Sequence, residues 1–67
     1  MYIRVCSEQR QWRVLHPHRA DSVAFHEGRV AYDFADALAR ELHESTGVAC
    51  SIRVEAEGAH VVAARYG

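Results

Sequence analysis

The sequence predicts an α+β fold with two layers, in which one helix packs on one face of an antiparallel sheet. One segment, residues 30–45, has helical periodicity. The segments on either side alternate between apolar and polar residues with the period of a strand. They follow the order β-β-β-α-β-β. With 67 residues, the chain is predicted to form a single small domain, 1–67.

The predicted helix is amphipathic and begins near residue 28. Charged residues occupy its polar side, and opposite charges four positions apart, such as Asp36 and Arg40, each add about 0.2–0.5 kcal/mol. Gly47 follows the last periodic residue, where a left-handed cap is expected. One wide apolar stripe requires one apolar surface, which the flanking strands supply. The predicted apolar side contains Val30, Ala31, Phe34, Ala35, Leu38 and Leu42.

Three strands are predicted before the helix, at residues 2–6, 11–16 and 22–26. Pro17 ends the second strand because proline cannot donate a hydrogen bond to a sheet ladder. The third strand is short and is a candidate for an exposed edge, which pairs readily with another chain.

Two strands are predicted after the helix, at residues 48–55 and Ala59–Tyr66. The first alternates cleanly, with Cys50, Ile52 and Val54 on one face. A turn at residues 56–58 joins the two strands, and Gly58 is available there for a positive φ. The last strand is apolar on both faces, which favours a central strand or one that is covered on both sides.

The two faces of the sheet are predicted to differ. Trp12 shares a phase with Val14 and is expected in the core, because aromatic side chains dominate small cores. The core on the helix side is expected to contain Ile3, Val5, Val14, Phe25, Ile52 and Val54.

The opposite face has no predicted cover within the chain. Arginine interleaved with aromatic and aliphatic groups suits a protein interface or single-stranded nucleic acid. An ordinary solvated face is the alternative, because antiparallel sheets commonly face water on one side. The candidate binding residues on this face are Tyr2, Arg4, Arg13, Leu15 and Arg53.

Composition narrows the class of protein. The formal net charge is -1, and this near-neutral balance argues against a dedicated duplex-DNA binder. All eight basic residues are Arg, with no Lys and no Asn, which indicates the codon bias of a GC-rich bacterial genome. No apolar run reaches the length of a membrane span, and no signal pattern is present, so a cytoplasmic location is expected. Both cysteines are expected to be free thiols.

No catalytic residue, metal site or cofactor is predicted. His16 and His18, joined by His26 or His60, would supply three imidazole ligands for an open zinc site, although no acidic or cysteine ligand has a recognised spacing. Solvated loop histidines are the alternative. Cys50 is expected to be a core hydrophobe, and nothing marks Cys6 as reactive. The glycines are isolated, so no phosphate-binding loop is present.

Part of the chain resembles a known family. A strand opens at Trp12-Arg13-Val14, and a turn with Phe25 leads into a helix with Ala31, Ala35, Leu38 and Ala39, followed by Gly58 and Tyr66-Gly67. Over residues 11–67 this pattern resembles the DUF2188-type family of short bacterial proteins of unknown function. The chain differs from that family at 16–18, where a glycine turn is usual, and in a helix that is acidic rather than lysine-rich. The resemblance implies a fold and no catalytic residue.

The sequence therefore predicts a small, non-enzymatic interaction module that acts through protein contacts, either as a homodimer or with another protein. One helix on one sheet buries little apolar surface, so covering the free face would stabilise the fold. Two alternatives remain open. One is single-stranded nucleic-acid binding through Arg4, Arg13 and Arg53, which is possible but not favoured. The other is a small inhibitor protein that docks on a larger enzyme.

Overall fold

The computed structural model describes residues 1–67. It confirms the predicted α+β fold and the predicted order of elements, and every predicted boundary lies within two residues of the observed one. The elements are β1 (Tyr2–Glu8), β2 (Gln11–Leu15), β3 (Ser22–Phe25), α1 (Gly28–Thr46), β4 (Cys50–Ala56) and β5 (Ala59–Tyr66).

All five strands form one sheet in the order β3-β2-β1-β4-β5. The central pair, β1 and β4, is parallel, with Ile3 opposite Ile52 and Val5 opposite Val54. The other three pairs are antiparallel, so the sheet is mixed rather than purely antiparallel. A parallel pair needs a long crossover connection, and β2, β3 and α1 together provide it. Alternation of side chains along β1 is the same for either kind of partner, so the sequence pattern cannot distinguish them.

Both tight hairpins turn through two residues with positive φ. Gln9 and Arg10 have φ of 48° and 65°, and Glu57 and Gly58 have φ of 51° and 77°. Two consecutive residues in this region match the twist of the flanking strands. Gly58 therefore takes the conformation expected of it, whereas the first hairpin forms its turn without glycine.

The core lies between α1 and the sheet. Of the residues expected there, Phe25, Val54 and Trp12 are partly buried against its margin. Trp12 lies against Gly28, where a β carbon would come within 2.8 Å of Trp12 Cε2, so only glycine allows this approach of the helix start. The eight fully buried hydrophobic residues are Ile3, Val5, Val14, Ala31, Ala35, Ala39, Cys50 and Ile52.

The helix is rotated relative to the predicted apolar side. Ala31, Ala35 and Ala39 are 0% exposed, whereas Val30 and Phe34 are each 41% exposed. Short alanine side chains let the helix axis lie close to the sheet, and a large side chain at their place would hold it away. Phe34 instead packs at the margin against Phe25, with ring centroids 5.3 Å apart. The prediction that Val30 and Phe34 lie on the side that packs on the sheet is therefore wrong, because the three alanines are at the centre of that side and the two larger residues lie at its margin.

Polar contacts cap the C-terminus of α1 and join the helix to β5. Gly47 caps the helix as predicted, with φ of 73° and its N–H donating to His43 O at 2.8 Å. The Tyr66 hydroxyl donates to Asp36 Oδ1 and accepts from Arg40 Nε at 3.1 Å. The predicted Asp36–Arg40 pair is present at 3.2 Å. These contacts hold the end of β5 against α1.

The last strand is at the edge of the sheet and not at its centre. Val61 is 60% exposed and Val62 is 50% exposed, although they lie on opposite faces. The prediction of a central or doubly covered strand is therefore wrong. An apolar composition on both faces therefore does not place a strand at the centre of the sheet of its own chain.

Replacing Ala35 by Leu tests the close approach of helix and sheet. Overpacking at this fully buried site is expected to lower the free energy of unfolding by about 1–3 kcal/mol. Ala37→Leu is the matched control, because Ala37 is exposed on the same helix and should change stability by less than about 0.5 kcal/mol. Urea denaturation at equal slope measures both. Equal effects of the two substitutions would contradict the packing described here.

Candidate protein-binding face

The free face is defined as the sheet surface opposite α1. All five candidate binding residues lie on it: Tyr2, Arg4, Arg13, Leu15 and Arg53. The strand register brings them together, since Arg4 on β1 lies opposite Leu15 on β2 and opposite Arg53 on β4. Arg13 lies on the same face of β2, two residues before Leu15, and opposite Cys6 of β1. Tyr2 is 50% exposed at one end of β1.

An ion-pair network occupies the middle of the free face. Arg4 Nε donates to Glu55 Oε2 at 2.7 Å, and Arg4 Nη2 donates to Oε1 at 2.8 Å. Arg53 Nε lies 3.3 Å from the same carboxylate but without hydrogen-bond geometry. Two arginines therefore share one carboxylate, and the two-pronged Arg4 contact fixes its orientation.

Glu55 also lies on the free face but is not among the five candidate residues. Alternation along β4 places Glu55 on the same side as Arg53, so the signal was present in the sequence. The missing information was the strand order, because only the parallel pairing of β1 with β4 sets Glu55 opposite Cys6 and diagonal to Arg4. Strand alternation alone identifies no carboxylate partner for Arg4 or Arg53.

The network shifts the protonation of its own carboxyl group. Hydrogen bonds from Arg4 lower the pKa of Glu55 from its ordinary 4.5 to about 2. They also raise the pKa of the Arg4 guanidinium, since the ionised pair stabilises both partners. Glu55 is therefore ionised throughout the neutral range, and the network keeps its charges.

Neither cysteine is activated. The Cys6 thiol donates to Glu55 Oε1 at 3.7 Å. Its pKa is raised first by burial and then by the Glu55 charge, both of which disfavour a thiolate. Cys50 is fully buried beside Ile52, as predicted, and burial raises its pKa as well. Both thiols are free.

Two arginines on the free face have no ion-pair partner. Arg13 Nη1 donates only to the neutral Ser22 hydroxyl, at 3.1 Å. Arg65, on β5, lies opposite Ser51 of β4 and is exposed near the other edge of the sheet. The free face thus has a centre in which two arginines share one carboxylate, and an arginine without a carboxylate on each flank.

A groove of about 520 Å³ lies at one end of the free face. Tyr2, Arg4 and Leu15 line it together with the loop 16–20, and none of its lining residues is acidic. Within that loop, the His18 N–H donates to His16 Nδ1 at 3.0 Å, which orients the His16 ring. The groove is therefore lined by three of the five candidate residues and by a loop that contains two histidines and one arginine.

The histidines do not assemble into the alternative zinc site. The rings of His16 and His18 are 6.0 Å apart between centroids. No group of three or more His, Cys, Asp or Glu side chains in residues 1–67 is arranged to hold a metal ion. His26 and His60 thus do not complete a three-imidazole set with the loop.

Comparisons with protein-family models, curated proteins and solved structures find no match for this chain. The resemblance to the DUF2188-type family stays a prediction. The helix α1 lacks the apolar character that would let it cross a membrane.

The ion-pair network predicts a specific acid dependence of stability. Because the pKa of Glu55 is lower in the folded protein, its contribution is present above about pH 4.5 and is lost as the pH falls toward about 2. Glu55→Gln should remove that part of the pH dependence and cost about 0.2–1 kcal/mol at neutral pH, since the contacts are partly solvated.

Urea unfolding at several pH values measures this effect. Glu8→Gln is the matched control, because Glu8 is exposed in β1 and makes no ion pair. Identical pH profiles for the wild type and Glu55→Gln would show that the network does not contribute to folding.

Proposed function

We propose that this chain is a small, non-enzymatic protein-binding module of the bacterial cytoplasm, and that its free face docks onto a partner protein. The observation that supports the proposal is the composition of a sheet face that α1 leaves uncovered. Tyr2 is 50% exposed there, beside the half-buried Leu15 and a groove. Arginine and tyrosine are the residues enriched at the energetic centres of protein interfaces.

The charges of the free face favour an acidic partner. The charged residues on this face are Arg4, Arg13, Arg53, Arg65, Glu8 and Glu55. Of the four arginines, Arg13 and Arg65 have no carboxylate partner. Leu15 lies next to Arg13 along the face of β2, so an apolar contact and a positive charge are presented side by side. A partner with an acidic residue beside an aliphatic or aromatic one complements this arrangement. If that partner is an enzyme and the docked module blocks its active site, the module acts as an inhibitor.

Single-stranded nucleic acid is the less favoured occupant. Such sites combine a positive groove with several aromatic side chains on which bases stack. Here the Glu55 carboxylate pairs with Arg4, lies 3.3 Å from Arg53 Nε and would repel a phosphate, and Tyr2 is the one Phe, Tyr or Trp side chain on the free face. Trp12, the largest aromatic residue, packs on the helix side instead.

A displayed library of random peptides tests the proposal and does not require that the partner be identified first. Selection on the wild type should enrich sequences with Asp or Glu beside an apolar residue. Leu15→Glu and Arg13→Glu should each weaken binding of an enriched peptide about tenfold or more, which corresponds to about 1.4 kcal/mol. Isothermal titration calorimetry measures the affinities.

Glu41→Arg is the matched control, since Glu41 is exposed on α1 away from the free face. It should leave peptide affinity unchanged. Enriched peptides whose binding is insensitive to Leu15→Glu and Arg13→Glu, or sensitive to Glu41→Arg, would remove the free face as the docking site.

Fluorescence anisotropy with an oligothymidylate of about 20 nucleotides tests whether the free face binds single-stranded nucleic acid. Because Arg4 and Arg53 already share the Glu55 carboxylate, we expect no measurable binding at about 150 mM salt. Tight, salt-dependent binding that Arg13→Glu and Arg53→Gln abolish would replace the protein partner with nucleic acid.

A further inference from the structure

The edge strand β5 has the apolar composition of a covered strand. It is the longest strand, with eight residues, and it pairs with β4 alone. Residues 59–63 are all exposed. Arg65 is the one permanently charged residue in β5, and valine side chains point to both faces. Exposed strand edges are templates for pairing with another chain.

The two edges of the sheet differ in how they avoid such pairing. Natural proteins protect edges with short strands, charges, proline or bulges. The β3 edge is half as long as β5, with four residues, and its end residues Ser22 and Phe25 are partly buried. The β5 edge has a bulge opposite Ile52 and Arg53, which follows Val62 along the strand. Residues 59–62 therefore keep a regular, uncharged free edge.

The helix side of this edge is apolar and open. Val61 lies beside Val54, Ala56 and Ala59 around a shallow cavity of about 200 Å³. The helix is held to the far end of β5 through Tyr66. The tip of the β4–β5 hairpin thus has apolar side chains that no part of the chain covers.

We propose that β5 pairs with β5 of a second copy of this chain. Antiparallel pairing of a strand with its own copy requires a twofold axis perpendicular to the sheet, so both helices lie on one face. The two five-stranded sheets then become one continuous sheet. Val61 lies on the axis and meets its own counterpart between the two helices.

Charge complementarity favours a second copy over an unrelated strand. With the axis at Val61, His60 lies opposite Val62 of the second copy, and no like charges face each other. Arg65, beyond the bulge, then lies toward the hairpin turn of the second copy, where Glu57 is exposed, and the symmetry makes this approach twice. The positive end and the negative end of one free edge are therefore brought together by self-pairing.

This inference is independent of the docking partner proposed for the free face. Antiparallel self-pairing makes the free faces of two copies continuous. It uses the hairpin and Arg65 but not Arg13 or Leu15, whose substitutions test the docking proposal. A failure of either proposal leaves the other intact.

Sedimentation equilibrium of the full chain from about 5 to about 500 μM tests the self-association, a range suited to a small interface. The wild type should show a concentration-dependent dimer. Val61→Glu should weaken dimerisation at least about tenfold, because it buries a charge against its own copy. Val23→Glu is the matched control on the other edge strand, where Val23 is 43% exposed, and it should leave the dimer unchanged.

A charge exchange keeps the test decisive even if Val61→Glu fails to fold. Arg65→Glu and Glu57→Arg are exposed substitutions, and each alone should weaken the dimer several-fold. The double variant should restore it. A wild type that stays monomeric throughout the range would overturn the proposal. So would a dimer that Val23→Glu disrupts, or one that neither charge variant weakens.

Discussion

The structure depends on the close contact between a stripe of three alanines and the central parallel pair of strands. Ala31, Ala35 and Ala39 are fully buried against a surface that contains Ile3 and Ile52. With a small core, each contact is a large share of the total, and a well-packed interior tolerates neither gaps nor excess volume. The position of the helix then decides which sheet face is covered and which is left to solvent.

Local patterns predict the elements well, and the longer-range arrangement is what they miss. Alternation along residues 48–55 and helical periodicity over 30–45 arise within each segment, so the sequence alone reveals them. The partner of β1 is a property of two distant segments, and nothing in either one distinguishes a parallel from an antiparallel neighbour. The burial of Ala39 and the exposure of Phe34 likewise depend on how closely two elements approach.

The same distinction explains the candidate site. Its five residues share the free face because strand alternation alone places them there. The pairing of Arg4 with Glu55 was not predicted, because only the strand order brings the two residues together. The face has an ordered centre, in which two arginines share one carboxylate, and an arginine without a carboxylate on each flank. Such a surface discriminates between partners through position of charge rather than through net attraction.

The parallel pairing of β1 with β4 has a consequence for how the molecule forms. Of the five strands, β1 is made before the others and takes the middle of the sheet, and its parallel partner is made only after α1. Until then, the edge of β1 that will face β4 has no partner, and the core lacks Cys50 and Ile52. Contacts between distant segments slow folding and prolong the exposure of such intermediates. During translation, the core is therefore completed only when β4 has emerged.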